Sequence, residues 1–329
     1  MRMADRSLGH ELRNFRFVLH GHGGGIDREE VLAGLSAAQK TLPAKLLYDA
    51  RGSALFNSIC ATEAYYPTRT ERAIFIAHAE SIAQAVGRDS AVIEFGPGDM
   101  SKVRLLLDAL HPAMYIGIDI SEAELMRAGS ALAGEYPWVQ VVAVCGDFAA
   151  TDMLPALVPA QNRWVAFFPG STIGNLEPAE AAAFLQRLRA LVGARGAAIV
   201  GVDFRKSKAV LDLAYNDPQG FTRAFNLNLL TRLNRELGAN FDERRFRHHA
   251  FYNEALGRVE MHLVSAVAQR VQLAGEQIVF RPGESIHTES SYKYRPEDFD
   301  RMAADAGFGT RRLFSDPQAW FGVYVLSAE

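Results

Sequence analysis

Residues 91–120 read Ala91-Val-Ile-Glu-Phe-Gly-Pro-Gly-Asp-Met100-Ser-Lys-Val-Arg-Leu-Leu-Leu-Asp-Ala-Leu110-His-Pro-Ala-Met-Tyr-Ile-Gly-Ile-Asp-Ile120, and the fold follows from this stretch. A short apolar run, AVIEF, ends in a glycine turn. The next segment places Val103, Leu106, Leu107 and Leu110 at helical spacing, and a second apolar run, MYIGIDI, follows. That is a strand, a loop, a helix and a strand. The pattern continues: SEAELMRAGSALAGEY reads as a helix with Ser121 as cap and Glu124 at the third position, VQVVAVCGDF and WVAFFPG as strands, PAEAAAFLQRLRALVG as a helix and AAIVGVDF as a strand. Five strands alternating with helices predict a parallel sheet covered on both faces.

Outward from this block the alternation stops at Arg205. Residues 221–237 have the pattern of an amphipathic helix, and RFRHHAFYNEALGRVEMHLVSAVAQRVQ that of antiparallel strands around a turn at Glu254 to Gly257. After Tyr294 a helix starts with Pro296 in its first turn and ends at Gly307, and RRLFSDPQAWFGVYVLSA supplies a final antiparallel pair. On the N-terminal side Asp27 caps a helix over 28–38, and residues 45–87 are helical in pattern, interrupted at 49–53 and 65–67. Residues 91–204 with 292–329 are therefore expected to form one α/β domain, and 1–90 with 205–291 a second, discontinuous α+β domain that binds substrate. Five parallel strands closed by an antiparallel terminal pair resemble the Rossmann-like sheet of class I S-adenosylmethionine-dependent methyltransferases.

Composition narrows the function. Basic and acidic residues nearly balance, 35 against 38, so no basic stripe marks a nucleic-acid partner. No apolar run approaches the ~18 residues of a membrane span, and the N-terminus lacks the apolar core of a signal peptide. Two cysteines, Cys60 and Cys145, make neither a disulfide framework nor a cysteine metal site. The expectation is a soluble cytoplasmic protein. His20 and His22 in a glycine-rich stretch read as loop residues, since no third ligand stands at a suitable spacing, and His248 and His249 read as strand-surface residues. No metal is expected.

In open parallel sheets ligands bind beyond the carboxyl ends of the strands. Here those ends carry Glu94, Gly96, Gly98 and Asp99, then Asp119, then Asp147 and Phe148, then Pro169-Gly170-Ser171. A pyrophosphate site tolerates little negative charge beside its glycines, and Ser101 replaces the third glycine of a dinucleotide fingerprint. A cationic sulfonium fits better. Asp119, 21 positions past Gly98, can accept from ribose hydroxyls; Asp147 can accept from an adenine amine while Phe148 packs on the ring; Lys102 can reach a carboxylate.

Four further segments are dense in polar and aromatic residues: LYDARGSALFNSICATEAYYPTRTE (47–71), PGSTIGNLEP (169–178), the LAYND piece around Tyr215, and IHTESSYKYR (286–295). On the phrases YDARGSALF, YYPTRTE, GSTIGNL and TES-K, the chain from about Leu35 onward resembles the histidine Nα-methyltransferases of ergothioneine biosynthesis. The resemblance implies S-adenosylmethionine as cofactor, held by Gly96, Lys102, Asp119, Asp147 and Phe148. It implies L-histidine as substrate, with Asn175 and Tyr215 on its carboxylate. Tyr48 and Tyr65 would lie near the amine and the ring as candidate catalytic residues, with Phe56 walling the pocket and Glu289, Ser290 and Ser291 at the imidazole. It further implies three successive methyl transfers to the α-amino group, giving the trimethylated betaine hercynine. A monomer is expected. Pro97, Asp99, Pro169 and Ala64 depart from the family pattern around the cofactor loop and pocket entrance. Competing readings are a methyltransferase for another amine such as a tryptophan derivative, a dinucleotide oxidoreductase, and a non-catalytic cofactor-binding protein. An indole has one donor and no acceptor, which disfavours it at Glu289 and Ser291.

Overall fold

A computed structural model describes residues 13–20, 25–88, 90–146 and 163–328. Its strands in chain order are β1 (Phe15–Leu19), β2 (Lys40–Thr41), β3 (Ala91–Phe95), β4 (Met114–Asp119), β5 (Gln140–Cys145), β6 (Trp164–Phe168) and β7 (Ala197–Asp203). They continue as β8 (Phe246–Asn253), β9 (Arg258–Ser265), β10 (Gln269–Leu273), β11 (Glu276–Phe280), β12 (Ser285–Tyr292), β13 (Phe308–Ser315) and β14 (Phe321–Ala328). The chain divides into two compact units, one drawn from Met1–Gly24, Pro67–Phe204 and Tyr294–Glu329, the other from Gly25–Tyr66 and Arg205–Lys293.

The first unit is an eight-stranded sheet in the order β1-β5-β4-β3-β6-β7-β14-β13. Strands β1 and β3 to β7 run parallel, β14 lies antiparallel to β7, and β13 antiparallel to β14. Every residue of β3, β6 and β7 is buried, as continuous apolar strands must be when helices cover both faces. This is the expected α/β architecture with one strand more. Strand β1 continues the parallel edge beyond β5, and Asn14 locks its start by donating its amide to the carbonyls of Ala133 and Val139, both at 3.0 Å.

The expected boundary at residue 90 therefore needs correction. Strand β1 belongs with the sheet because it pairs with β5, and the helix Tyr66–Val86 sends Ile74, Phe75, Ile82, Ala83 and Val86 into the sheet unit's core. Ser121 stands at the N-cap of the helix Glu122–Glu135 as expected, but its side chain makes no cap bond, and Asp119 Oδ1 accepts from the Ser121 amide at 3.1 Å. Among the described residues no helix is long and apolar enough to cross a membrane.

The second unit has a four-stranded sheet, β2-β12-β9-β8, and a β10-β11 hairpin. The hairpin expected around Glu254 to Gly257 is β8-β9, and the helix expected over 221–237 is Phe221–Leu237, burying Phe225, Leu229, Leu230 and Leu233. The ladder between β12 and β9 slips by one residue at Thr288: His287 pairs with His262 and Glu289 with Met261. This bulge is held by Thr288 Oγ1, which bonds Asn226 Oδ1 at 2.7 Å and the Met261 carbonyl at 3.0 Å. Because successive strand residues alternate faces, one extra residue reverses the face of everything after it. His248 is more than a surface residue, since its ring nitrogens meet Asn226 Nδ2 and the Tyr215 carbonyl, each at 3.0 Å. His20 extends the β1 pairing through its backbone, donating to the Cys145 carbonyl, and His22 lies outside the described residues.

Candidate active site

In the sheet unit the turn after β3 is built for close approach to backbone. Gly96 and Gly98 have φ of 69° and 53°, in the left-handed region that glycine enters without steric cost. A Cβ at either would meet nothing within 4 Å, so open space lies in front of the loop. Pro97, a departure from the family pattern, packs with Met100 over Gly117 of β4, where a Cβ would meet the Pro97 ring at 3.2 Å and Met100 Cε at 3.1 Å. Asp99 is exposed and accepts from the Ser101 amide at 3.0 Å, just ahead of the helix Ser101–Leu110, whose N-cap position is Met100. The acid facing the glycine turn is Asp119 at the end of β4. Its Oδ2 accepts from the Gly98 amide at 3.2 Å and its Oδ1 from Ser121, with acceptor capacity left on the carboxylate for a ligand hydroxyl. Burial pushes its carboxyl upward, only partly offset by these amides. Glu94, beneath the loop, is wholly buried and accepts from Tyr115 Oη at 2.6 Å.

Lys102, expected at a ligand carboxylate, pairs with Glu71 Oε2 at 2.7 Å. Glu71 is fully buried, and its Oε1 accepts from the Gly170 amide at 2.6 Å. A Cβ on Gly201 would stand 2.1 Å from that oxygen, so β7 carries glycine where the carboxylate passes. The next residue, Ser171, adopts φ 56° and accepts from the Asp203 amide at 2.9 Å, which fixes the PGSTIGN turn to β7. Asn175 ends the short helix Thr172–Asn175 and is half-buried. Asp147 and Phe148 lie outside the described residues.

In the second unit the YDARGSALF phrase has a local reason for each part. Asp49 caps the helix Ala50–Cys60 by accepting from the Gly52 amide at 2.7 Å, and is held by Asn228 and Arg235. Burial works against ionisation of Asp49, but these partners prevail and its carboxyl sits below the ordinary value. A Cβ on Gly52 would fall 1.7 Å from the Leu47 carbonyl oxygen, so only glycine fits there. The turn and helix deliver Tyr48 and Phe56 into an aromatic cluster. Tyr48 lies 5.7 Å from Phe56 and 5.4 Å from Phe225, Phe56 lies 6.1 Å from Tyr65, and Tyr65 lies 6.0 Å from Tyr215, all edge to face. Burial drives the Tyr65 hydroxyl well above its ordinary pKa, reinforced by Tyr215, Cys60, Tyr48 and Glu289.

The polar end of this cluster holds a triangle of hydrogen bonds. Tyr215 Oη donates to Ser291 Oγ at 2.9 Å, and Lys293 Nζ donates to both, at 3.0 and 2.9 Å. Glu289 shares the face of Ser291, since the two stand opposite Met261 and Val259 of β9. Burial pushes the Glu289 carboxyl up to about 7, with the Lys293 ammonium pulling it down. Ser290 does not join them. Strand alternation puts it on the other face, opposite Glu260, and the bulge brings His287 to that same face, where Ser290 Oγ meets His287 Nε2 at 3.2 Å. On that face Glu260, His262 and His287 bring potential ligand atoms within 4.8 Å, yet each is engaged: His262 with Glu260, Glu260 with Arg258, and His287 with the Glu289 carbonyl.

The structure thus gathers Tyr48, Phe56, Tyr65, Tyr215, Glu289 and Ser291 in one unit and Gly96, Lys102, Asp119 and Asn175 in the other. Sequence reading missed Lys293, Phe225 and Glu71. Lys293 was visible as a second i+2 neighbour on the strand face of Glu289 and Ser291. Glu71 sits inside the quoted YYPTRTE phrase, but nothing in the sequence announces that a helix residue will pin a loop starting at Gly170.

Comparison with known proteins bears on this site. The histidine N-alpha-methyltransferase of Mycolicibacterium smegmatis is 40% identical over 302 residues, covering 90% of this chain and 93% of the relative. Ergothioneine biosynthesis protein 1 of Schizosaccharomyces pombe is 29% identical over 88% of this chain, which spans 39% of that protein. A 4-dimethylallyltryptophan N-methyltransferase of Aspergillus fumigatus is 29% identical, covering 91% of this chain and 92% of the relative. The family model for histidine-specific, S-adenosylmethionine-dependent methyltransferases matches residues 27–328, and the chain belongs to that family.

Proposed function

We propose that the protein methylates the α-amino nitrogen of L-histidine from S-adenosylmethionine, in three successive transfers that yield Nα,Nα,Nα-trimethylhistidine for ergothioneine biosynthesis. The observation that carries this reading is the buried Glu289, Ser291, Tyr215 and Lys293 set, which offers one carboxylate and one hydroxyl on the same strand face inside an aromatic enclosure. An imidazole presents one donor and one acceptor nitrogen, and this pair of side chains matches both.

The residues present fit the cofactor. The open space before Gly96 and Gly98 admits a ligand against backbone, and Asp119, already bonded to the Gly98 amide, can accept from ribose hydroxyls. Lys102, anchored by Glu71, supplies positive charge for the methionine carboxylate. When bound, S-adenosylmethionine supplies an electrophilic methyl group on a sulfonium. The protein aligns the amine with it, and orientation of this kind contributes on the order of 7–11 kcal/mol. An α-amino group has a reference pKa near ~8, so a proton leaves before attack. Tyr65 keeps its hydroxyl proton near neutrality, so it passes a proton along hydrogen bonds and does not act as a phenolate base. Tyr48 lies within the same aromatic cluster and is assigned the same relay. The ring faces of the tyrosines exclude water and suit a growing ammonium. Asn175 offers its amide to the substrate carboxylate. The Tyr215 hydroxyl, expected at that carboxylate, is bonded instead to Ser291 and Lys293 and is assigned to the ring end. The enzyme is proposed to act as a cytoplasmic monomer without a metal.

The test is incubation with S-adenosylmethionine and a mixture of amino acids, read by mass spectrometry for mono-, di- and trimethylated products. Methylated histidine through the trimethyl form is expected. Methylation of tryptophan or another amine in preference to histidine would establish the alternative reading, which the Aspergillus relative's name makes specific.

A further inference from the structure

The ring of bonds among Lys293, Tyr215 and Ser291 can be counted proton by proton. Lys293 is buried, and an ammonium has donors and no lone pair, so it obliges both hydroxyl oxygens it touches to accept. Tyr215 spends its own hydrogen on Ser291 Oγ. Ser291 Oγ then accepts twice, from Tyr215 at 2.9 Å and from Lys293 at 2.9 Å, which uses both lone pairs of a hydroxyl oxygen. What remains to Ser291 is a single hydrogen to donate. A ring nitrogen opposite it must therefore carry a lone pair, while the carboxylate of Glu289 calls for N–H. Neutral imidazole meets both demands in one tautomer. Imidazolium, with N–H at both nitrogens, would set a donor against a donor and a cation beside an ammonium.

We infer that Lys293 is a positioning residue that locks Ser291 as a donor and so commits the pocket to the neutral form of the histidine ring. This deepens the proposed function and rests on it. Without Lys293 the Ser291 hydroxyl can turn and present a lone pair, so the pocket loses its preference between ring forms as well as a charged partner for Tyr215 and Ser291.

The measurement is histidine binding by isothermal titration calorimetry, with S-adenosylhomocysteine present, at pH 8 and pH 5.5. The control ligand is 2-fluorohistidine, whose ring stays neutral across that range. Glu289, Lys293, Tyr65, Tyr215, Tyr48 and Cys60 surround both ligands alike, so the ratio of the two affinities isolates ionisation of the ligand ring. From a ring pKa near ~6.5, histidine should lose about tenfold more affinity than the fluoro analogue on going to pH 5.5. In Lys293→Met that extra factor should shrink below about threefold, and histidine affinity at pH 8 should fall about tenfold or more, the size of a lost charged hydrogen bond. Lys293→Arg, which keeps charge and donors, should retain the extra factor. Melting temperature and S-adenosylhomocysteine affinity report folding separately. Parallel losses for the two ligands in wild type would overturn the inference even if Lys293→Met fails to fold, and so would an unchanged extra factor in a folded Lys293→Met. If wild type binds S-adenosylhomocysteine but no histidine at either pH, the functional reading itself falls, a result distinct from parallel losses.

Discussion

Glu94 offers a sharp test because its environment is so one-sided. It is wholly buried on β3, has one donor in Tyr115, and its Oε1 has no partner among the described residues. Burial pushes its carboxyl up to about 8, against the pull of Tyr115 and Lys102 and with Asp99 and Glu71 adding repulsion. A carboxyl whose folded pKa lies above its unfolded one contributes stability that is complete below the unfolded value and is lost as pH rises through the folded value. Between pH 6 and pH 9 the loss integrates to about 3 kcal/mol. For a domain of this size, at about 2–4 °C per kcal/mol, that amounts to roughly 5–10 °C in melting temperature. Glu94→Gln keeps an acceptor for Tyr115 and stays neutral at every pH. Melting by differential scanning calorimetry of the full chain, without ligand, should show wild type falling by that margin relative to Glu94→Gln between the two pH values. Any fixed cost of the new amide shifts the variant equally at both. Melting curves that stay parallel from pH 6 to pH 9 would refute the reasoning.

Other expectations follow from the same geometry. Glu289→Ala should raise the histidine KM by about 10–100-fold, the range of one lost charged hydrogen bond; an unchanged KM in initial-rate assays would remove Glu289 from the ring site. Gly52→Ala puts a methyl group 1.7 Å from the Leu47 carbonyl and should cost on the order of 3 kcal/mol in urea denaturation, with wild-type stability contradicting the packing described. Tyr65→Phe and Tyr48→Phe should lower kcat and move the pH-rate profile if they relay the amine proton. Rates and profiles identical to wild type would eliminate that role.

The sheet was legible because its inner strands are unbroken apolar runs, which only a doubly covered sheet can bury. Strand β1 escaped notice for the opposite reason: FRFVL is a short edge strand interrupted by Arg16, and it is recognised only by its pairing with β5 and by the carbonyls that Asn14 collects. Glu289 and Ser291 were readable as a same-face pair from their spacing alone. The bulge at Thr288 was not, since it depends on Asn226, which is 62 residues away in sequence. That single long-range bond sets which face Glu289 and Ser291 take relative to His287. Glu71 and Lys102 illustrate the same limit, because a lysine beside a glycine turn gives no sign that a buried carboxylate from a preceding helix has claimed it.

The second unit's discontinuity has a consequence in time. Strand β2 finds its partner only in β12, and the neighbouring bond from Gln39 to Ser285 spans 246 residues. At a synthesis rate of about 5–20 residues per second, the segment Gly25–Tyr66 waits roughly 12–50 s for the strand that completes its sheet. Until the helix Phe221–Leu237 has also emerged, Leu46, Leu47 and Ile59, all buried in the finished fold, lack the element they pack against. The sheet unit, whose strands β3 to β7 follow one another closely, can condense first. The nascent segment Gly25–Tyr66 is thus expected to stay open to proteolysis on the ribosome for longer than strands β3 to β7, which limited proteolysis of stalled nascent chains would read.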